Sequence, residues 1–413
     1  MAISTEINET SKEKLKEYKR PFVPLATIFS SYFLIGLSGF GLAIIQKIKS
    51  LILKRQWMKE EEINDGFAMV QLYPGPMIPD FTAYSGYVMR GIPGAVSAMI
   101  GYILPSLILM IGLSIFYFSA GNVPWVHSLF VGLEAIAVGV ILNVTLDMGN
   151  QAIKGRIEAV IALFAFGALV FKINAVIVVL FALVIGGLFI RPKTNGDQKI
   201  TQSTELLLPS TPKRRWLGIG ITILFVLSVV VLAWSLHSDV GNLGLIMFKI
   251  GSVAFGNGST ILPLIQSEVV DHYKWLTMNQ FADGIAMGQI TPGPYLITSA
   301  FIGYKMGGVL SALLAVFAIF SPSFVMTLIF AEIFSKIRNI VWVRGALAGV
   351  LASFVGMLTS VILQLGGVSL VTPAALVMAA AAFLMVRNFK FDIIWVFLGG
   401  AALWSGLIAI GLV

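Results

Sequence analysis

The chain has no cysteine, which excludes disulfides, thiolate metal sites and cysteine nucleophiles. Histidine is nearly as scarce, and His127, His237 and His272 stand far apart near the ends of apolar segments. No H-E-x-x-H, G-x-S-x-G or G-x-x-x-x-G-K-[ST] pattern occurs. The residues therefore offer no zinc-protease helix, no nucleophile elbow and no ATP-driven step. No cofactor or metal is expected, and the chain is read as a non-enzyme. Charge is the third scarcity: only 12% of the 413 residues are charged, against about 25% in soluble domains. So few charges cannot cover the surface of a water-soluble fold of this size. The net charge of +8 sits in loops beside apolar segments, so it signals membrane topology and not nucleic acid.

What is present is apolar. Hydrophobic residues make up 57% of the chain, and the mean hydropathy is +0.91. Runs such as 92–118 and 216–236 are continuous, where barrel strands would alternate apolar and polar residues. Since a spanning helix needs about 20 apolar residues, the expected fold class is all-α, polytopic and membrane-embedded. The lipid bilayer is its first partner.

The chain also repeats itself. Residues 66–76 read GFAMVQLYPGP and residues 284–294 read GIAMGQITPGP; seven of eleven positions match. Asp65 and Asp283 precede the two stretches, and Trp57 and Trp275 stand seventeen positions before Pro74 and Pro292. Phe33, Gly36 and Phe40-Gly41 correspond to Phe248, Gly251 and Phe255-Gly256, and GYVMRG (86–91) to GYKMGG (303–308). The pattern predicts a polar tail (1–20), a six-segment repeat (21–190), a basic linker (191–215), one connecting helix (216–236) and a second repeat (241–413). The basic tail and linker are both expected in the cytoplasm. The connecting helix then inserts the second repeat upside down, an arrangement that transporters use to build a site at the repeat interface. The loop 47–62, with Lys47, Lys49, Lys54, Arg55 and Lys59, favours re-entrant hairpins for the first two segments of each repeat. That gives nine full crossings and four hairpins, against thirteen crossings without hairpins.

Pro-Gly-Pro is expected to stop a helix. Proline lacks an amide proton and clashes with the preceding turn, costing about 3 kcal/mol in a helix interior. A helix restarting after Pro76 or Pro294 presents free amides and roughly half a positive charge, which is an anion site. The candidate substrate-binding residues are Pro74, Gly75, Pro76, Pro292, Gly293 and Pro294. Ser38, Gly39, Gly256 and Asn257, from the glycine-rich stretches GLSGFG (36–41) and GSVAFGNG (251–258), join them. So does Lys249, an intramembrane cation that has Leu34 in the matching place. Asp65, Asp283, Glu134, Gln71, Gln289 and Arg90 are coupling or structural candidates. The two aspartates suit helix N-caps, Glu134 is placed to be a buried protonatable group, and Arg90 marks a segment end.

Paired halves, each with a Gly-rich segment, a Trp, an Asp-Gly apolar stretch and PGP followed by Gly-Tyr, resemble the chromate ion transporter family in its long-chain, two-repeat form. The resemblance covers essentially the whole chain. It implies a multi-pass carrier of the cytoplasmic (inner) membrane that exports chromate and confers resistance, with sulfate as an alternative substrate. It carries the family motif onto Gly39, Trp57, Pro74, Gly75, Pro76, Trp275, Pro292, Gly293 and Pro294. Ser38 departs from it, since a second glycine is expected there. An anion channel is the further alternative, and a homodimer is left open.

Overall fold

The computed structural model describes residues 21–39, 43–120, 123–191, 212–235, 239–256, 258–337 and 341–411. The N-terminal tail, most of the linker, Phe40-Gly41 and Asn257 lie outside the described residues. Within them the chain is helical apart from one two-stranded contact.

The first copy opens with α1 (Leu25–Ser38), which stops at Gly39. Helix α2 (Ala43–Lys54) follows, so part of the stretch read as a basic loop is an amphipathic helix. It buries Ile44, Ile48 and Ile52, four residues apart on one face. Helix α3 (Glu60–Met69) stops before Pro74, and the chain passes through β1 (Gly75–Pro76) into α4 (Met77–Ala120). The first arm of α4 folds back along α3: Gly66 lies against the rings of Tyr84 and Phe81, and the Tyr84 hydroxyl donates to the Glu62 carbonyl at 3.2 Å.

Helix α4 then reverses at Arg90-Gly91. Gly91 sits at φ 65°, ψ −153°, a region open essentially to glycine alone. Its second arm returns with Gly94 against the Gly86 carbonyl. The copy ends with α5 (Pro124–Ala152), α6 (Arg156–Val170) and α7 (Ala175–Phe189). Helix α8 (Pro212–Ser235) joins the copies, and it already includes Lys213, Arg214 and Arg215 of the expected linker.

The second copy runs α9 (Asp239–Val253), β2 (Phe255–Gly256), α10 (Ile261–Ile265), a π-helical turn (Gln266–His272) and α11 (Met278–Ile290). A 3₁₀ turn (Tyr295–Ile297) then leads into α12 (Thr298–Ile337), α13 (Val341–Ser369), α14 (Pro373–Arg387) and α15 (Ile393–Ala409). The contacts of the first copy recur. Gly284 lies against Phe301, Gly303 against Ser311, and α12 reverses at Gly308 (φ 70°, ψ −154°).

Other contacts are exchanged between the copies. Gly139 of α5 meets the Ala379 carbonyl of α14, and Gly356 of α13 meets the Ala162 carbonyl of α6. Gly345 and Gly349 of α13 press on Ala182 and Gly186 of α7. Lipid tails are as apolar as leucine, so such interfaces are held by close backbone approach between small residues.

Two bodies result, each built from both copies. Helices α5–α7 interlock with α13–α15 into a frame, while α1, α3, α4, α9 and α12 form a body of broken helices, and α11 lies between them, packed against α5 and α13 of the frame as well as α12. Helix α8 runs at the edge against α9 and α12, with Leu217, Leu224 and Leu232 exposed. Trp125, Trp216 and Trp342 are exposed near helix starts, as an interfacial aromatic belt requires.

Candidate functional site

The four breaks meet crosswise. Strand β1 of the first copy pairs in parallel with β2 of the second, Gly75 opposite Phe255 and Pro76 opposite Gly256. The Gly293 amide of the second copy donates to the Gly39 carbonyl of the first at 3.1 Å. Each Pro-Gly-Pro therefore reaches the glycine-rich break of the other copy. Gly293 is at φ +107°, where a side chain would be strained. Gly75 has no room for a Cβ beside Asp80 and Ser323. Of the candidate binding residues, the structure brings Gly39, Gly75, Pro76, Gly256 and Gly293 into these crossings.

Two serines missed by sequence reasoning complete them. The Ser106 hydroxyl, on α4, donates to the Pro292 carbonyl at 2.6 Å, and Ser323, on α12, lies beside Gly75. Both follow a proline inside a long helix, Pro105 and Pro322. The recurrence of Pro-Ser in the two copies was a signal open to reading. Asp80 was also missed, although it is an acid four positions after Pro76 in an apolar run. It is fully buried, it stands in the first turn of α4 and its carboxylate lies against Gly75. Neither oxygen has a hydrogen bond of normal geometry among the described residues, although Ser323 is its near neighbour. Tyr73 and Thr327 share a hydrogen bond of 2.7 Å nearby.

Further donors are buried and unmatched among the described residues: the Gln289 amide and the Ser259 and Tyr102 hydroxyls. A polar group left this way costs about 1–3 kcal/mol. Amides, hydroxyls and one carboxamide around two helix breaks form a donor set suited to an oxyanion. A cavity of about 350 Å³ is a different feature. It lies between α4, α8 and α12 and is lined by apolar side chains such as Met99, Ile103, Phe225 and Phe320, so it offers nothing to a dianion.

Other candidates stand elsewhere. Lys249 pairs with Glu268 at 2.6 Å, and the Asn174 amide donates to the same carboxylate oxygen at 2.8 Å. Its charge is neutralised there and is not spare for an anion. The Ser38 hydroxyl is exposed and donates to the Leu34 carbonyl of its own helix. Gln71 is exposed, with its amide 3.8 Å from the Met77 sulfur. Arg90 donates to the Val23 carbonyl at 3.0 Å at the reversal of α4.

The N-cap reading of the two aspartates is corrected. Asp65 and Asp283 lie inside α3 and α11, whose caps are Lys59 and Thr277. The helices begin earlier than the apolar runs because Thr277 and Gln280 form a capping box.

Asp283 and Glu134 stand on α11 and α5, which pack against each other. Tyr117 donates to Asp283 and Ser369 to Glu134, each at 2.6 Å. Both acids are buried.

No solved structure matches the chain. It is 30% identical to an uncharacterized transporter of Methanocaldococcus jannaschii over 95% of this chain and 96% of that protein. It is 29% identical to a chromate transport protein of Cupriavidus metallidurans over 92% of each chain. A chromate transport protein of Pseudomonas aeruginosa is 26% identical over 91% of each. The sequence model of the chromate transporter family matches residues 26–187 and again 241–405. Five stretches among the described residues are long and apolar enough to cross a bilayer, including Met77–Ala120, Ser128–Ala152 and Trp342–Ser369. The chain is a multi-pass helical membrane protein and belongs to the chromate transporter family.

Proposed function

We propose that the protein carries chromate, a tetrahedral dianion, out of the cell across the cytoplasmic membrane by alternating access, and so confers resistance to chromate. The observation that carries this reading is the crosswise meeting of the two Pro-Gly-Pro breaks with the two glycine-rich breaks. It sets restarted helices and unmatched buried donors around one region, between halves that exchange equivalent contacts. The relatives named as chromate transport proteins supply the substrate. The N-terminus and the 191–215 linker are taken as cytoplasmic and the second repeat as inverted, which makes the two breaks converge from opposite leaflets.

Energetics favour export. A membrane potential of about 100 mV is worth about 2.3 kcal/mol per charge. For a dianion that is about 4.6 kcal/mol outward, a little over three decades of concentration. Sulfate shares the shape and charge of chromate and is the second reading, since backbone amides and hydroxyls do not distinguish the two ions.

The test is transport by the purified chain in proteoliposomes with an imposed potential. Saturable chromate movement toward the positive side, at carrier turnover, is expected. Competition by sulfate at equal concentration would assign the site to both ions. Turnover at channel rates, or no chromate movement, would overturn the carrier reading.

A further inference from the structure

We propose that the crevice under α8 binds one acyl chain of an anionic phospholipid, whose phosphate is held at the start of α8. Such a site takes the bilayer as its ligand and is independent of which ion the protein carries. The crevice is the cavity of about 350 Å³ between α4, α8 and α12, within the range of roughly 300–1,000 Å³ found for small-molecule sites. Its walls are apolar, and its two hydroxyls are spent on their own helices. Thr222 donates to the Gly218 carbonyl at 2.9 Å and Ser321 to the Ala318 carbonyl at 3.2 Å. Water finds no set of polar partners there, so the fitting occupant is apolar.

The position of the crevice explains why one side of it is open. Residues 96–107 of α4 and 313–324 of α12 occupy matching places in the two repeats, with Pro105-Ser106 and Pro322-Ser323 at the same point of each. Val96 and Ile100 line one wall, and their twins Leu313 and Phe317 line the other. Helix α8 joins the copies and belongs to neither repeat. Its Phe225 ring stands edge-on to Phe317, with 6.1 Å between centroids, whereas Ile100, the twin of Phe317, is exposed. The connecting helix thus covers one half of a two-sided crevice. The place that a second such helix would take is left to the bilayer, whose apolar component is the acyl chain.

The start of α8 supplies the charge. Arg215 is engaged by Glu332 at 2.8 Å, which pins this end of α8 to α12. Lys213 and Arg214 are exposed beside it, and Trp216 is exposed at the same level, where an interfacial ring belongs. Arg214, Gly218, Thr222 and Val226 follow at four-residue spacing, so they share one stripe of the helix. Gly218 of that stripe meets Ile92 of α4, and Thr222 and Val226 line the crevice. Arg214 therefore stands over the crevice on the headgroup side. Thr222 and Val226 lie about 12 and 18 Å along the helix from it, at 1.5 Å per residue. That is the depth of chain methylenes below a headgroup, in a hydrocarbon core about 30 Å thick. Two exposed basic side chains above an apolar slot match a phosphate carried on acyl chains.

The same walls carry Pro105-Ser106 and Pro322-Ser323, so a filled crevice braces the two bends beside the crossings, and binding raises the melting temperature by mass action. The experiment uses the full-length protein in detergent, with native mass spectrometry of bound lipid and the melting temperature as readouts. The probes are dioleoyl phosphatidylglycerol, dioleoyl phosphatidylcholine and glycerol phosphate. Unmodified protein should bind one phosphatidylglycerol about tenfold more tightly than phosphatidylcholine, from the two basic side chains, and should melt higher with it. Glycerol phosphate alone should do neither. Lys213→Gln combined with Arg214→Gln should bring phosphatidylglycerol down to the phosphatidylcholine level. Thr222→Phe and Ile100→Trp fill the crevice from opposite walls, and each should weaken both lipids by about tenfold. Leu224→Phe, on the exposed face of α8, should leave both unchanged. Equal binding of the two lipids by unmodified protein, or undiminished binding by the folded filling variants, would overturn the site and mark the lipid as ordinary annulus. A response to glycerol phosphate equal to that of phosphatidylglycerol would overturn the acyl-chain assignment.

Discussion

The two Pro-Gly-Pro crossings share a backbone and differ in what surrounds it. Four positions after Pro76 stands Asp80, and four after Pro294 stands Thr298. Ser106 reaches across to bond the Pro292 carbonyl, whereas Ser323 beside Gly75 bonds the Phe320 carbonyl of its own helix. The surroundings of Asp283 are one-sided as well. Nine positions after Trp125 is Glu134, but nine after Trp342 is Leu351. Twelve after Pro105 is Tyr117, but twelve after Pro322 is Phe334. Duplication has kept the framework that breaks and crosses the helices, while ionisable chemistry has settled in one copy at a time. A symmetric frame with asymmetric charges can favour one direction or one coupled ion, which a fully symmetric one cannot.

The largest effect tests what the crossings share. Gly75→Val and Gly293→Val should each reduce chromate transport at least a hundredfold with membrane insertion unchanged, measured by flux and by surface labelling. The first forces a side chain into Asp80 and Ser323, the second into Ser106 at a strained φ. If one of them transports normally, the crossings are not equivalent in function.

The next prediction addresses their difference. Asp80→Asn replaces a buried carboxyl in the first turn of a restarted helix, a group that competes with an anion for the positive helix end whenever it is ionised. The half-saturation concentration for chromate should fall about tenfold, or about 1.4 kcal/mol. Thr298→Asp should raise it by a similar factor. An unchanged value in both would place the substrate away from these helix ends.

Removing the serines should cost less and unequally. Ser106→Ala loses a buried hydrogen bond between copies, about 1 kcal/mol, and transport should fall about fivefold. Ser323→Ala loses a bond within one helix turn and should stay within about twofold. The smallest effect is expected at Lys249. Because its charge is already met by Glu268, Lys249→Met should leave the half-saturation concentration within about twofold while lowering the melting temperature. A tenfold rise in that concentration would return Lys249 to the anion site.

The segments were legible because the apolar runs are long and because proline and glycine stop helices for local reasons. That is why Gly39 and the two Pro-Gly-Pro stretches break where their residues require. What depends on partners was not legible. The amphipathic α2 hid among charges, because its buried Ile44, Ile48 and Ile52 are interleaved with Lys47, Lys49 and Lys54. Lys249 was visible as a rare intramembrane cation, but Glu268 closes a gap that sequence does not measure. Glu134 and Asp283 were each noted as ionisable, yet the packing of α5 on α11 spans two copies and no local pattern announces it. Asp80 was readable from its isolation in an apolar run, by the same rule that picked out Lys249.

The division into two bodies bears on how such a chain can arise and be dissected. The frame takes α5–α7 from one half and α13–α15 from the other, and the broken-helix body is likewise a mixture. A polypeptide cut down to residues 21–190 would hold half of each and finish neither. Two such fragments have to associate before either body is complete, so fusion into one chain fixes a stoichiometry that separate halves would have to find by collision.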